Sequence, residues 1–231
     1  GPALVRAAAK NYNDVTIITS VDQYSELINE LKKNKGGTSL NFREKMSRLA
    51  FGETAYYDAI ITNYLNKFNN VNFPKRKVLC TNLTENLRYG ENPHQVGALY
   101  SQNIENKLEQ IHGKNLSYNN YSDIFAALTI SKSLPKNTGT VIVKHGNPCG
   151  VSALKNNLDS YKSALESDPI SAFGGIVSCN YKITQKLALI LNKIFLEVIV
   201  ANGFDKKALK ILKSKKNLRL IDSSKITFNE V

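Results

Sequence analysis

The run Thr140-Val141-Ile142-Val143, closed by Lys144-His145-Gly146-Asn147-Pro148-Cys149-Gly150, restricts the fold of this chain more than any other stretch. Four β-branched residues in a row read as a short buried strand, and the Gly- and Pro-bearing segment after it bends the chain away. Gly146, Pro148 and Gly150 are read as that turn, which leaves Lys144 and His145 at the strand's exit. Strand ends are where ligands bind in α/β folds. A second block, Leu87-Arg88-Tyr89-Gly90-Glu91-Asn92-Pro93-His94-Gln95, crowds cations, amides and an imidazole among Gly and Pro in the same way. Such backbone is bent to present side chains rather than to run as helix or strand.

The chemistry of each block follows from its residue types. Lys144 offers a fixed cation and His145 a base that titrates near neutral pH, a pair suited to taking a proton from a poor nucleophile while charge develops beside the Lys. The plainer reading is a strand-end Lys in solvent and a His hydrogen-bonded into a turn. In the other block, Arg88 carries a planar fork matched to phosphate or carboxylate, Tyr89 adds a hydroxyl, and Gly90 lets a ligand approach the backbone. An anionic substrate fits that set, although Arg-Tyr-Gly also occurs in surface turns. His145-Gly146-Asn147 before Pro148-Cys149 loosely resembles a zinc deaminase signature, but that signature needs Glu at the position of Asn147 and Cys at the position of Ser152. Cys80, Cys149 and Cys179 are too far apart in sequence for a zinc-ligand spacing, so no metal is expected.

Strand-like and helix-like segments alternate along the chain, which reads as α/β. A strand is expected over 15–19 and helices over 23–33 and 40–66, followed by a polar connector over 69–77. Beyond it come an extended segment through Arg88, strands over 97–100, 140–143 and 175–178, and helices over 123–133, 154–166, 184–195 and 206–212. The domain boundary is placed between 73 and 74. No apolar run approaches the length of a membrane span, and three Cys without paired spacing fit a reducing cytoplasm. A formal charge of +12 raises nucleic acid as a partner. Lys dominates the excess, in runs such as Lys206-Lys207 and Lys213-Ser214-Lys215-Lys216 on helix-like polar faces, and a solvated surface is the simpler account.

The two blocks, with Leu116-Ser117-Tyr118-Asn119-Asn120-Tyr121-Ser122-Asp123 and Ser167-Asp168-Pro169-Ile170-Ser171-Ala172-Phe173-Gly174-Gly175, resemble the bifunctional purine biosynthesis enzymes that combine AICAR transformylase with IMP cyclohydrolase. Gly1-Pro2-Ala3-Leu4-Val5-Arg6-Ala7-Ala8-Ala9-Lys10-Asn11 resembles a stretch late in their cyclohydrolase domain. The similarity covers nearly the whole chain in the family's order, and it implies an internal piece of a longer protein. Residues 1–73 would be the C-terminal portion of a methylglyoxal-synthase-like cyclohydrolase domain plus connector. Residues 74–231 would be the first portion of a cytidine-deaminase-like transformylase domain without the zinc.

The resemblance also implies roles. Lys10 matches the cyclohydrolase proton-transfer lysine, His145 the transformylase proton acceptor, and Lys144 its transition-state stabiliser. Arg88 and Tyr89 match binders of the aminoimidazole ribonucleotide, and Gly174 and Glu197 fall at further nucleotide positions. Gly174 also suits a tight turn, Glu197 a cap or pair within a helix, and Asn120, a plausible site neighbour, an Asn-rich turn. The implied chemistry is formyl transfer from 10-formyltetrahydrofolate to AICAR and then closure of FAICAR to IMP, without a metal, in a cytoplasmic homodimer with no nucleic-acid or membrane partner. A catalytically incomplete fragment is the alternative, a basic nucleic-acid-binding protein a remoter one. Two departures stand out: Glu53 where the family commonly has His, and Ala201-Asn202-Gly203 where Ala-Pro-Gly is common.

Overall fold

The computed structural model describes residues 1–102 and 108–226. The chain forms two compact units, Gly1–Thr81 and Asn82–Val231, so the division lies a little beyond the 73/74 boundary read from composition.

The first unit is helical where it is regular. Helix α1 (Pro2–Lys10) opens on a Pro at its first position, where no intrahelical N–H is needed. A short 3-10 turn (Val21–Gln23) leads into α2 (Tyr24–Lys33), and Ser39 caps the long α3 (Leu40–Phe68) by accepting from the Phe42 amide. Helix α3 packs Phe42, Met46 and Ala50 inward, and the Ser47 hydroxyl donates to the Ala9 carbonyl of α1 at 2.6 Å. Arg43 donates to the carbonyls of Tyr12 and Asn13 just past α1. The strand expected over 15–19 does not form. Its β-branched residues find no partner strand among the described residues of this unit, and strand preference without a ladder decides little.

In the second unit, β1 (Asn82–Leu87) and β2 (Gly97–Ser101) form a two-stranded antiparallel ribbon. A six-stranded sheet follows, built from β3 (Glu109–His112), β4 (Gly139–Lys144), β5 (Asn147–Ala153), β6 (Ile176–Cys179), β7 (Val198–Ala201) and β8 (Arg219–Asp222), in the order β3-β8-β7-β6-β4-β5. Strands β6, β7 and β8 are mutually parallel, whereas β3, β4 and β5 run antiparallel to their neighbours. Helix α4 (Tyr118–Ser133) covers one face, and α5 (Asn157–Ser167), α6 (Gln185–Leu191) and α7 (Lys206–Leu212) belong to the core of the other. Alternation along β4 shows the two faces. Val141 and Val143 join the α4 side with Ile124 and Leu128, and Ile142 joins Tyr161, Leu187 and Leu212 on the opposite side. Each such fully buried aliphatic side chain contributes about 2 kcal/mol. The mixed α/β architecture expected for the chain is therefore present.

The block after β4 folds differently from the reading above. The turn is only two residues, His145 and Gly146, and Asn147–Ala153 returns as β5 with Lys144 opposite Asn147. Pro148 is tolerated because β5 is the edge strand, and the register shifts opposite Ile142 and Val143. Gly150 is there for contact, since a Cβ at that position would lie 1.8 Å from the Ala164 carbonyl oxygen of α5. Helix α4 begins at Tyr118 rather than 123, because Ser117 and Asn120 cap its start reciprocally. Helix α6 stops at Leu191, short of the expected 195, and β3, β7 and β8 were not foreseen. Among the described residues no helix is long and apolar enough to cross a membrane.

Candidate active site

One edge of the six-stranded sheet gathers seven of the eight residues singled out from sequence. At this edge β4 ends while β6, β7 and β8 begin, so Lys144 closes β4, Gly174 precedes β6, and Glu197 precedes β7. The site thus sits at the carboxyl end of β4 but at the amino ends of the parallel strands.

Gly174 has φ +76, a left-handed conformation that costs other residues energy, and its N–H donates to the Phe195 carbonyl at 2.8 Å. Its role as a turn former is therefore real whatever else it does. Glu197 does not cap or pair within a helix. Its Oε2 accepts from Asn120 Nδ2 at 2.9 Å and lies 3.7 Å from a guanidinium nitrogen of Arg219, the first residue of β8. Asn120 also closes the cap of α4, accepting from the Ser117 amide. Burial lowers the pKa of Arg219 from its ordinary value, and the Glu197 carboxylate opposes that shift. The Tyr89 hydroxyl and the Arg88 guanidinium act on the same group, which brings the Arg88 block to this cluster. Arg88 itself is exposed and lies over the Tyr89 ring, 5.4 Å from its centroid.

Lys144 donates from Nζ to the Phe173 carbonyl at 2.8 Å, which ties the β4 exit to the segment carrying Gly174. His145 has φ +52 and Gly146 φ +75, the two consecutive positive values of a type I′ hairpin turn. The imidazole-bearing residue is exposed at the tip, and it lines a cavity of about 400 Å³ with Asn92, Tyr118, Ser122 and Asp123. That size lies within the range of small-molecule sites. The amide of Gly146 donates to Asp123 Oδ1 at 2.6 Å, and Asn119 Nδ2 donates to the Glu91 carbonyl at 3.1 Å. The first turns of α4 therefore hold both blocks. Burial raises the Cys149 thiol pKa; Asp168 adds to the rise and Lys144 opposes it.

Lys10 lies in the first unit, exposed in the last turn of α1. Arg6, one turn earlier on the same helix, sits over the Phe51 ring at 5.2 Å. Glu53 lines a separate cavity of about 370 Å³ with Pro2, Val5 and Tyr57.

A model of the AICARFT/IMPCHase bienzyme family matches residues 8–230. The chain belongs to that family. It is 46% identical over 230 residues to the bifunctional purine biosynthesis protein PurH of Persephonella marina and 44% identical over 225 residues to that of a Thermoanaerobacter species, in both cases over 96% of this chain. It spans 44% of the length of those two relatives. A dCMP deaminase from the cyanophage S-TIM5 aligns with 42% of this chain and 93% of its own, at 12% identity and a TM-score of 0.33, too low to bear on the fold of this member of the bienzyme family.

Two residues of the cluster escaped the sequence reading. Arg219 opens a four-residue strand whose alternation is too short to announce itself. Asp123 stood within a quoted motif but reads there as an ordinary acidic residue of a helix.

Proposed function

We propose that this chain carries the AICAR-formylating edge of a bifunctional enzyme that makes IMP, together with the lysine of its ring-closing step. The observation that carries the reading is the convergence on one sheet edge of Lys144, the cavity-lining His145, Arg88 with Tyr89, and Glu197, in a chain of the bienzyme family.

10-Formyltetrahydrofolate supplies the formyl group, and the cavity beside His145 has room for part of a nucleotide or folate. The 5-amino group of AICAR is a weak nucleophile, its lone pair being delocalised into the ring and carboxamide. His145 takes up the proton that the amine loses as its nitrogen bonds to the formyl carbon, a general-base contribution on the order of 10² to 10⁴ in rate. The bond from that carbon to folate N10 then breaks, N10 leaving with a proton as tetrahydrofolate. Lys144 offsets the negative charge that develops on the formyl oxygen, while its bond to the Phe173 carbonyl fixes where that charge is met. Arg88 and Tyr89 hold the anionic part of the nucleotide, and Glu197, Asn120 and Gly174 shape its remaining contacts. In the second reaction the formylated amide closes on the carboxamide nitrogen and loses water, with Lys10 moving protons.

The same reading makes residues 1–73 the end of a methylglyoxal-synthase-like domain and connector, and residues 74–231 the start of a cytidine-deaminase-like one. The protein is then a cytoplasmic homodimer that acts on AICAR, FAICAR and folate without a metal. Membership of the bienzyme family supports AICAR, FAICAR and folate as the substrates in this reading.

The test is a crossed loss of activity in the full gene product carrying these residues. His145→Ala is expected to lower kcat for formyl transfer at least about a hundredfold and spare ring closure, whereas Lys10→Ala does the reverse. Near-normal formyl transfer in the His145 variant would leave that residue as a hairpin turn and nothing more.

A further inference from the structure

The hairpin tip that carries His145 departs from the sequence that type I′ turns prefer. Type I′ turns favour Asn or Gly at their first central position because a side chain there sits against the backbone in the left-handed region, and His145 occupies it at φ +52. Such conformations persist where the surroundings over-determine them, and they recur at sites whose geometry matters. Here one contact from another element bears on the tip. Asp123, one and a half turns into α4, accepts from the Gly146 amide at 2.6 Å. The bond is charge-assisted and ties the outermost peptide of the β4–β5 connection to a helix anchored on the sheet through Ile124 and Leu128. Asp123 also lines the cavity that His145 lines.

We infer that Asp123 is a positioning residue for the formyl-transfer site, holding the His145 turn against α4 so that the base meets the amine at a fixed distance. This rests on the reading of His145 as the proton acceptor. The role belongs to the oxygen's place rather than to its charge, because the contacted atom is a backbone amide. A free two-residue tip would swing about the ends of β4 and β5, and displacement of a catalytic group by about 1 Å is enough to cost on the order of a hundredfold in rate.

The experiment compares Asp123→Ala, Asp123→Asn, His145→Ala and the unaltered gene product for formyl-transfer kcat and AICAR KM, with the Gly146 amide proton followed by NMR in a ¹⁵N-labelled sample. Asp123→Ala is expected to lower kcat by at least about tenfold with KM within roughly threefold, and to move the Gly146 amide proton upfield as its bond is lost. Asp123→Asn, whose amide oxygen can still accept, is expected to recover most of the rate and the downfield shift. Asp123→Ser, too short to reach, serves in place of the Ala variant if that one fails to fold, with the same expected loss. Normal kcat in the Ala or Ser variant while His145→Ala is inactive would overturn the positioning role alone. No rescue by Asn would overturn it in favour of a role for the charge. Normal turnover in His145→Ala would instead overturn the functional reading on which the inference depends.

Discussion

The two edges of the six-stranded sheet are built from similar polar residues and do opposite things with them. At the edge where β4 begins and β6, β7 and β8 end, the side chains use up one another's hydrogen-bonding capacity. Asn180 accepts from the Gly139 amide at 2.8 Å and donates to the carbonyls of Ser131, Leu134 and Pro135. Asn202 donates to the Asn180 carbonyl and accepts from Lys132 and Ser223. At the other edge Lys144, Glu197 and Asn120 are tied down, but His145 and Arg88 are exposed beside them, and a cavity opens at the hairpin. A polar cluster whose members satisfy each other is a fastening; one that leaves a base and a cation facing open space has room for a ligand. The usual expectation for open α/β sheets puts ligands at the carboxyl ends of parallel strands. In this molecule those ends are the fastened edge, and β4, running against its parallel neighbour, brings its own carboxyl end to the site.

Substitution at Asn180 should break this contrast most strongly. That residue is 5% exposed, and Asn180→Ala leaves the Gly139 amide and three carbonyls without their present partner. A loss of about 3 kcal/mol in unfolding free energy is expected from urea titration, with AICAR affinity of the folded protein unchanged. A comparable loss of affinity would mean that the two edges are not separable.

His145→Asn sharpens the contrast from the other side. Asn is better suited than His to φ +52 ahead of a Gly, so the variant is expected to gain about 0.5 kcal/mol in stability and, on the proton-acceptor role proposed for His145, to lose formyl transfer, since an amide cannot take up the proton. Thermal melts and single-turnover formyl transfer on the same preparation read both quantities. A destabilised variant would show that the His145 side chain makes stabilising contacts at the tip.

How much of this was legible in the sequence depended on whether local chemistry or pairing decided the matter. The residues of α7 and the exit of β4 at Lys144 were readable because strong local preferences and tertiary packing agree there. The segment 15–19 was misread because β-branched residues mark a strand only when a neighbour exists to pair with. Strands β3 and β8 are four residues long and carry Glu109, His112, Arg219 and Asp222, so nothing in their alternation separates them from loops. Arg219 stayed hidden for that reason. The type I′ turn was missed because its signal is Asn-Gly, and His145-Gly146 departs from it. Asp123 could have been suspected only by asking what would hold such a departure in place.

The smallest effect belongs to Lys132, at the fastened edge. Burial lowers its pKa from the ordinary 10.5, the Asp222 carboxylate opposing the shift, so the charged form is less favourable in the folded protein than in the unfolded chain. Below its folded pKa both states are protonated, and the full penalty is present. Between that value and 10.5 the unfolded chain binds more proton than the folded one, so unfolding free energy should rise with pH across that window. Lys132→Gln removes the titrating group while keeping a donor for Asn202 Oδ1, and urea titrations from pH 8 upward should then show a shallower rise than the parent. At the other edge Lys144→Gln, which removes the ammonium held by the Phe173 carbonyl, should lower the formyl transfer proposed for this site. Parallel slopes for Lys132→Gln and the parent would mean that Asn202 and the Ser223 carbonyl offset the burial of this ammonium in full.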